Sequence, residues 1–114
     1  MQIKNISKEV LLAKEVHLAS SWSQRLKGLL GRAYLPYEEA LIIQPCNSVH
    51  TFFMRFSIDV IFIDKKGRVV RILPNLSPFR ISGLYFRAFS AIELCAGTIY
   101  KTNTEEGDLL QILP

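Results

Sequence analysis

The sequence predicts a mainly β fold, a compact β-sandwich or jelly-roll-like barrel with one short α-helix at about residues 22–30. Apolar residues recur mostly at every second position, as they do on a strand with one buried face. About eight short segments of this kind are separated by turn residues, and only one stretch has helical spacing. Many short strands joined by turns favour a sandwich or barrel. A chain of 114 residues is expected to form a single domain, residues 1–114.

The single helix is predicted from its capping residue and its apolar stripe. Ser20 or Ser21 is suited to the N-cap, because a hydroxyl oxygen accepts a hydrogen bond from a free amide of the first turn. Gly31 is a suitable end, because glycine tolerates a left-handed backbone. The apolar stripe consists of Trp22, Leu26, Leu29 and Leu30.

Before the helix, residues 3–7 alternate only loosely and predict a first strand weakly, whereas residues 9–19 predict one long strand or a strand pair. After it, Ile58–Ile63 is apolar on both faces, which is typical of a central strand covered on both sides. Gly67 ends a tight hairpin turn that starts at Asp64. The remaining predicted segments are strands at Ala40–Gln44, Thr51–Met54, Arg68–Leu73, Ala91–Cys95 and Leu109–Leu113, a loop at Pro74–Leu84 and a turn at Glu105–Asp108.

Composition and charge exclude several functional classes. Hydrophobic residues make up 49% of the chain and charged residues 21%, a globular balance that argues against disorder. The net charge is +4, but the basic residues are scattered, whereas nucleic-acid binding needs a concentrated basic face. We therefore expect no nucleic-acid partner.

The length of the apolar runs and the composition of the N-terminus indicate where in the cell the protein is expected. No apolar run approaches the ~18 residues that span a bilayer, so we expect no membrane partner. The N-terminus lacks the apolar core of a signal peptide, which predicts a cytoplasmic location. Cys46 and Cys95 are then expected to be reduced thiols. We also expect a monomer or weak homodimer.

The most chemically varied window is residues 46–55. Cys46 and His50 invite a nucleophile–base interpretation, because a thiolate at neutral pH needs a nearby imidazole or positive charge. On an extended strand, residues four apart lie about 13 Å from each other. A dyad would therefore require a turn between them, or His17 as the base. Cysteine also often serves only as a buried small residue, and neither residue is assigned a catalytic role.

Metal binding is not predicted. Structural zinc sites show paired, closely spaced ligands. Here Cys46 lies far from Cys95 in sequence, and His17 far from His50, so only Cys46 and His50 are local. We expect no metal and no cofactor.

The preferred hypothesis is a non-catalytic binding module that recognises a small polar or anionic ligand, or a protein segment, at one end of the sheet. Arg80 could hold an anion with its planar fork, and Asp59 opens an apolar strand where a carboxylate needs compensation, by a structural ion pair or by a ligand. The predicted ligand-binding residues are Cys46, Asn47, His50, Thr51, Met54, Arg55, Asp59 and Arg80. The alternatives are a small enzyme using Cys46 or His50, and a purely structural subunit.

Four motifs in order resemble those of the domain of unknown function 192 family. They are Arg25-x-Lys27-Gly28-Leu29-Leu30-Gly31-Arg32, Cys46 to Met54, Ile58-Asp59-Val60-Ile61-Phe62-Ile63-Asp64-x-x-Gly67, and Glu93-Leu94-x-Ala96-Gly97 with Gly107-Asp108. The resemblance covers nearly the whole chain and implies a sandwich or jelly-roll fold but no established activity. Many relatives carry a longer polar insertion where only Phe56-Ser57-Ile58 separate Arg55 from Asp59 here.

Overall fold

Two β-sheets and two short helices make up the structure, a computed structural model that describes the backbone of residues 1–114 and every side chain except those of Trp22 and Leu26. The strands are β1 (Gln2–Asn5), β2 (Val10–Ala13), β3 (Glu15–Ala19), β4 (Glu39–Ile43), β5 (Ile58–Ile63), β6 (Val69–Leu76), β7 (Ser90–Cys95) and β8 (Leu110–Leu113). A three-stranded sheet has the order β2-β1-β8, and a five-stranded sheet has the order β3-β4-β7-β5-β6. The mainly β, sandwich-like prediction is confirmed, and the sheets do not close into a barrel.

The alternation of side chains along the larger sheet builds two apolar cores. On β7, Ile92 and Leu94 join the core between the two sheets, whereas Ala91 joins a second core on the opposite face. On β5, Ile61 belongs to the core between the sheets and Val60 to the core on the opposite face. This second face, called here the outer face, is covered by irregular segments from residues 28–35, 46–56 and 76–88 rather than by a sheet.

The first helix, α1 (Trp22–Lys27), follows the capping chemistry that the sequence predicts. Ser21 Oγ accepts from the Gln24 amide at 3.2 Å, and Gln24 Oε1 accepts from the Ser21 amide at 3.2 Å, which forms a capping box. The predicted end at Gly31 is wrong: the helix stops at Gly28, whose φ of 48° leaves the helical region. Half of the predicted stripe, Trp22 and Leu26, lies outside the described side chains.

A second helix, α2 (Thr98–Thr102), is absent from the prediction of a single helix. With 5 residues, it is too short to carry a helical period in the sequence. Neither described helix is long and apolar enough to cross a membrane.

The structure decides one strand prediction and corrects two others. Residues 9–19 form two strands, as one of the two alternatives predicted, but these strands, β2 and β3, belong to different sheets and do not pair with each other. Residues 51–54 form a turn, because Phe53 adopts a left-handed φ of 65° that ends an extended backbone. The strand β6 continues through Pro74 to Leu76, which is possible because an edge strand can lack one amide donor. The hairpin from Asp64 to Gly67 is confirmed.

Asp59 is fully buried on β5, and its carboxyl oxygens accept hydrogen bonds from backbone amides rather than forming the ion pair expected from the sequence. Its Oδ2 accepts from the amides of Ile99 at 2.8 Å and Gly97 at 3.2 Å, and its Oδ1 accepts from the Asn75 amide at 2.8 Å. A carboxylate that receives several amide hydrogen bonds can remain stable away from water. Asp59 therefore fixes the start of α2 against the sheet.

We expect Asp59→Ala to lower the free energy of unfolding by about 3 kcal/mol, because one buried and two partly buried amides would lose their acceptor. Urea unfolding measures this loss. Asp59→Asn keeps one acceptor oxygen and should cost less, and the exposed Glu106→Gln serves as a control with no effect. A loss below about 1 kcal/mol for Asp59→Ala would contradict this role.

Candidate functional site

A cleft of about 360 Å³ opens on the outer face of the larger sheet, between the end of α1 and residues 45–54. Its floor includes Ile43 of β4 and Glu93 of β7. Its volume falls at the small end of the range for ligand pockets. The other lining residues are Arg25, Lys27, Gly28, Leu29, Leu30, Pro45, Cys46, Asn47, Ser48, Val49, His50 and Met54.

The wall formed by residues 46–54 is an irregular segment held by a second irregular segment, residues 80–89. The Cys46 amide donates to the Phe89 carbonyl at 2.8 Å, and the Tyr85 amide donates to the Asn47 carbonyl at 2.9 Å. The Thr51 amide donates to the Arg80 carbonyl at 2.8 Å. These long-range bonds satisfy the backbone where no sheet does, so the wall is fixed by tertiary contacts.

The opposite wall starts where α1 ends. Arg25 is half-buried, and its Nη1 donates to the Pro45 carbonyl at 3.3 Å, which ties this wall to the other. Lys27 is exposed and lines the cleft. A Cβ atom placed on Gly28 would lie in van der Waals contact with Glu93 Oε1, at 3.8 Å, so the end of α1 lies directly beside this carboxyl group. The cleft therefore has basic side chains on one wall and a carboxyl at its floor.

Glu93 is the most unusual residue of the cleft. It is 3% exposed, and its neighbours in the sheet are Leu41 and Val60. Among the described side chains, Glu93 Oε1 is the buried polar atom that has no hydrogen-bond partner. Burial raises the pKa of Glu93 from 4.5 to about 7, because removing a carboxylate from water disfavours its charged form.

Cys46 and His50 both line the cleft, but their hydrogen bonds do not form a dyad. The Cys46 thiol donates to the Ser48 carbonyl at 3.1 Å, and His50 Nδ1 accepts from the Phe52 amide at 3.3 Å. Burial, with a smaller contribution from the charge of Glu93, raises the pKa of Cys46 above its usual value. A raised pKa lowers the thiolate fraction, which disfavours nucleophilic catalysis by Cys46.

The structure brings four of the eight predicted ligand-binding residues to the cleft, namely Cys46, Asn47, His50 and Met54. The other four do not line it. Thr51 is buried, and its hydroxyl donates to the Ser77 carbonyl at 2.6 Å, while Asp59 binds backbone amides as described above. Arg55 and Arg80 are exposed on the loops outside the cleft.

The charged residues that line the cleft, Glu93, Arg25 and Lys27, were not predicted as ligand contacts. A signal for Glu93 exists in the sequence, since it is a lone charge inside the apolar segment Ala91–Cys95, and a buried charge needs a partner. The two basic residues carry no comparable signal, because their approach to Glu93 depends on the packing of α1. Among the described side chains, no three His, Cys, Asp or Glu residues are grouped as metal ligands.

Comparison with known proteins identifies the family. The family model DUF192, described as Uncharacterized ACR, matches residues 3–112. The chain belongs to the DUF192 family. This confirms the resemblance that the four sequence motifs indicated.

The DUF192 chain is similar to archaeal proteins along its whole length. It is 36% identical to a UPF0127 protein of Pyrococcus horikoshii over 114 residues, which covers 96% of both chains. It is 32% identical to a UPF0127 protein of Pyrococcus furiosus, which covers 94% of both chains. A crystal structure of a protein of unknown function from Novosphingobium aromaticivorans has a TM-score of 0.80 and 20% identity, and the match covers 97% of this chain and 82% of that one. This last likeness shows the fold alone.

The raised pKa of Glu93 has a consequence for stability. A carboxyl group whose pKa is higher in the folded state than in the unfolded state stabilises the fold fully below the unfolded pKa, and loses this contribution as pH rises through the folded pKa. The shift from 4.5 to about 7 corresponds to roughly 3 kcal/mol. We therefore expect the free energy of unfolding of the native protein to fall by about this amount, relative to Glu93→Gln, between pH 4.5 and pH 7.

Urea unfolding of both proteins at several pH values tests this expectation, and taking the difference cancels the titration of all other groups. Glu93→Gln keeps the size of the side chain and removes the proton equilibrium. A difference that stays constant over this pH window would contradict a raised pKa of Glu93.

We expect the Cys46 thiol to react slowly with iodoacetamide at neutral pH in the folded protein, because its raised pKa lowers the thiolate fraction. Labelling is measured by mass spectrometry in a Cys95→Ser background, with the urea-unfolded protein as the control. Labelling of the folded protein as fast as that of the unfolded one would restore Cys46 as a candidate nucleophile.

Proposed function

We propose that this DUF192 protein is a non-catalytic binding module whose cleft takes a small amphoteric molecule, with an amine for Glu93 and an anionic group for Arg25 and Lys27. The observation that carries the proposal is the buried Oε1 atom of Glu93, which lacks a partner among the described side chains. A buried polar group without a hydrogen bond costs free energy. A ligand that donates to Glu93 would recover this cost.

The rest of the cleft supports the same chemistry. An ammonium group beside Glu93 would form a charge-assisted hydrogen bond inside a water-poor site. Arg25 and Lys27 stand on the wall of the cleft and would attract the anionic end of the molecule. Leu29, Leu30 and Ile43 provide apolar contact for the carbon skeleton of the molecule, as small-molecule pockets generally do.

The volume of about 360 Å³ suits a compact metabolite better than a protein segment. We also propose that the protein is located in the cytoplasm, that it is a monomer or weak homodimer, and that it does not bind nucleic acid. A reducing compartment is compatible with the free thiols of Cys46 and Cys95.

Three matched probes test the ligand chemistry: leucine carries both charged groups, isoamylamine carries the amine alone, and isocaproate carries the carboxylate alone. We expect calorimetry to detect leucine binding at neutral pH, and each single-group analogue to bind at least about ten-fold more weakly. Glu93→Gln and the double variant Arg25→Gln/Lys27→Gln should each weaken leucine binding by a similar factor.

Lys4→Gln changes an exposed basic residue on β1, away from the cleft, and should bind leucine as the native protein does. If leucine does not bind, the proposed ligand class is wrong. If leucine binds equally well to Glu93→Gln, the cleft floor is not the recognition site.

A second candidate function, acid–base catalysis, is favoured by the burial of the Glu93 carboxyl group in the cleft, which raises its pKa to about 7. A carboxyl group with a pKa near the working pH is suited to accept and return a proton. Incubation of the protein with a bound amino acid in D2O separates the two candidates. Exchange of the α-proton that is lost in Glu93→Gln would indicate catalysis, whereas an unchanged ligand would indicate binding alone.

A further inference from the structure

Four of the large apolar side chains that are exposed on two adjacent loops lie at contacts between these loops, outside the cleft. Phe52, Phe53, Phe79 and Ile81 are 39%, 78%, 58% and 68% exposed. They are called here the loop surface. Soluble monomers rarely expose contiguous apolar side chains without a function.

Contacts between the two loops hold these side chains together. The rings of Phe53 and Phe79 meet edge to face with centroids 5.9 Å apart. Ile81 pairs with His50 in an antiparallel bridge, and the His50 ring stacks on Phe52 at 5.4 Å. The loop surface is therefore one continuous patch.

The backbone of the loop surface is strained in a way that keeps the rings in solvent. Phe53 and Phe79 have φ values of 65° and 61°, which bulky residues seldom adopt. Both turns are held through Thr51, whose carbonyl accepts from the Met54 amide at 3.2 Å and from the Phe79 amide at 2.9 Å. Strain of this kind persists where the surroundings fix it and often marks functional segments.

The charged residues of the two loops all have one sign. Residues 47–57 and 77–88 contain no aspartate or glutamate, but they contain Arg55, Arg80 and Arg87. All three arginines are exposed. A partner of this surface must therefore offer apolar material together with negative charge.

We infer that the loop surface docks on an anionic lipid bilayer, with the apolar side chains at the headgroup–acyl boundary and the arginines at lipid phosphates. Peripheral proteins bind anionic membranes by inserting apolar residues at this boundary and by placing basic residues near the lipid headgroups. The expectation of no membrane partner rests on the lack of a spanning segment, and such docking needs none. This inference does not depend on the proposed function of the cleft.

The same observations disfavour two other occupants. A second copy of the chain would place arginines opposite arginines, which repel each other. A stable protein interface needs about 800 Å² from each partner and close shape complementarity, whereas this surface offers four apolar side chains on loop tips. A bilayer adapts its shape to such side chains.

Sedimentation of the full chain with vesicles tests the inference. The vesicles consist of phosphatidylcholine alone, or of phosphatidylcholine with about one third phosphatidylglycerol. We expect binding to the anionic vesicles and at least about ten-fold weaker binding to the neutral ones. The double variant Phe53→Asn/Phe79→Asn should bind anionic vesicles at least about ten-fold more weakly.

Asparagine tolerates a left-handed backbone, so the double variant should keep the fold, and an unchanged urea unfolding midpoint would establish this. The matched control is Tyr100→Asn, which changes a side chain that is 89% exposed on α2 and should leave vesicle binding unchanged. Arg55→Gln/Arg80→Gln should also weaken binding, since it removes two of the three basic contacts.

Several results would overturn the inference. One is the absence of binding to the anionic vesicles by the native protein. Another is equal binding by the native protein and either double variant. Binding to an acidic polypeptide such as poly-glutamate, without binding to vesicles, would overturn it in favour of a protein partner.

Discussion

The structure depends on a five-stranded sheet whose two faces are both apolar. All six residues of β5 are buried, so neither face of this strand can be left to water. The three-stranded sheet covers one face, and irregular segments cover the other. Because loops and a short helix fill space less regularly than a sheet does, the second cover leaves a cleft, and this is where the candidate site lies.

Two buried carboxyl groups on neighbouring strands show how differently burial can be compensated. Asp59 and Glu93 lie on opposite faces of the larger sheet, and both are almost inaccessible to solvent. Asp59 accepts hydrogen bonds from three backbone amides, whereas Glu93 Oε1 accepts none from the described side chains or the backbone. Compensation makes Asp59 structural, whereas the unpartnered oxygen of Glu93 is the feature on which the proposed ligand binding rests.

Much of the fold is readable because it follows local periodicity. The apolar run of β5 and the glycine of the following hairpin are confirmed, as is the capping serine of α1. The end of α1 and the existence of α2 are not readable in the same way. Gly28 and Gly31 are both chemically suited to end a helix, and α2 depends on amides that reach Asp59, about 40 residues earlier.

The residues of the candidate site likewise fall into those that could be predicted from nearby sequence and those that could not. Cys46, Asn47, His50 and Met54 could be predicted together because they are close in sequence and share one wall of the cleft. Glu93 lies on a different strand, and its pairing with the rest needs the sheet order β4-β7-β5. Arg80 was predicted from its local chemistry in the same way, but the loop that carries it lies outside the cleft.

The sequence by itself determined the fold class, the central strand, the turns and one wall of the cleft, because hydrophobic period, capping and glycine chemistry act over a few residues. Only the tertiary structure decided which charges meet. Side-chain burial and hydrogen-bond partners are set by strands and loops distant in the chain, so the unpartnered carboxyl of Glu93 and the continuous loop surface exist only once the sheets have assembled.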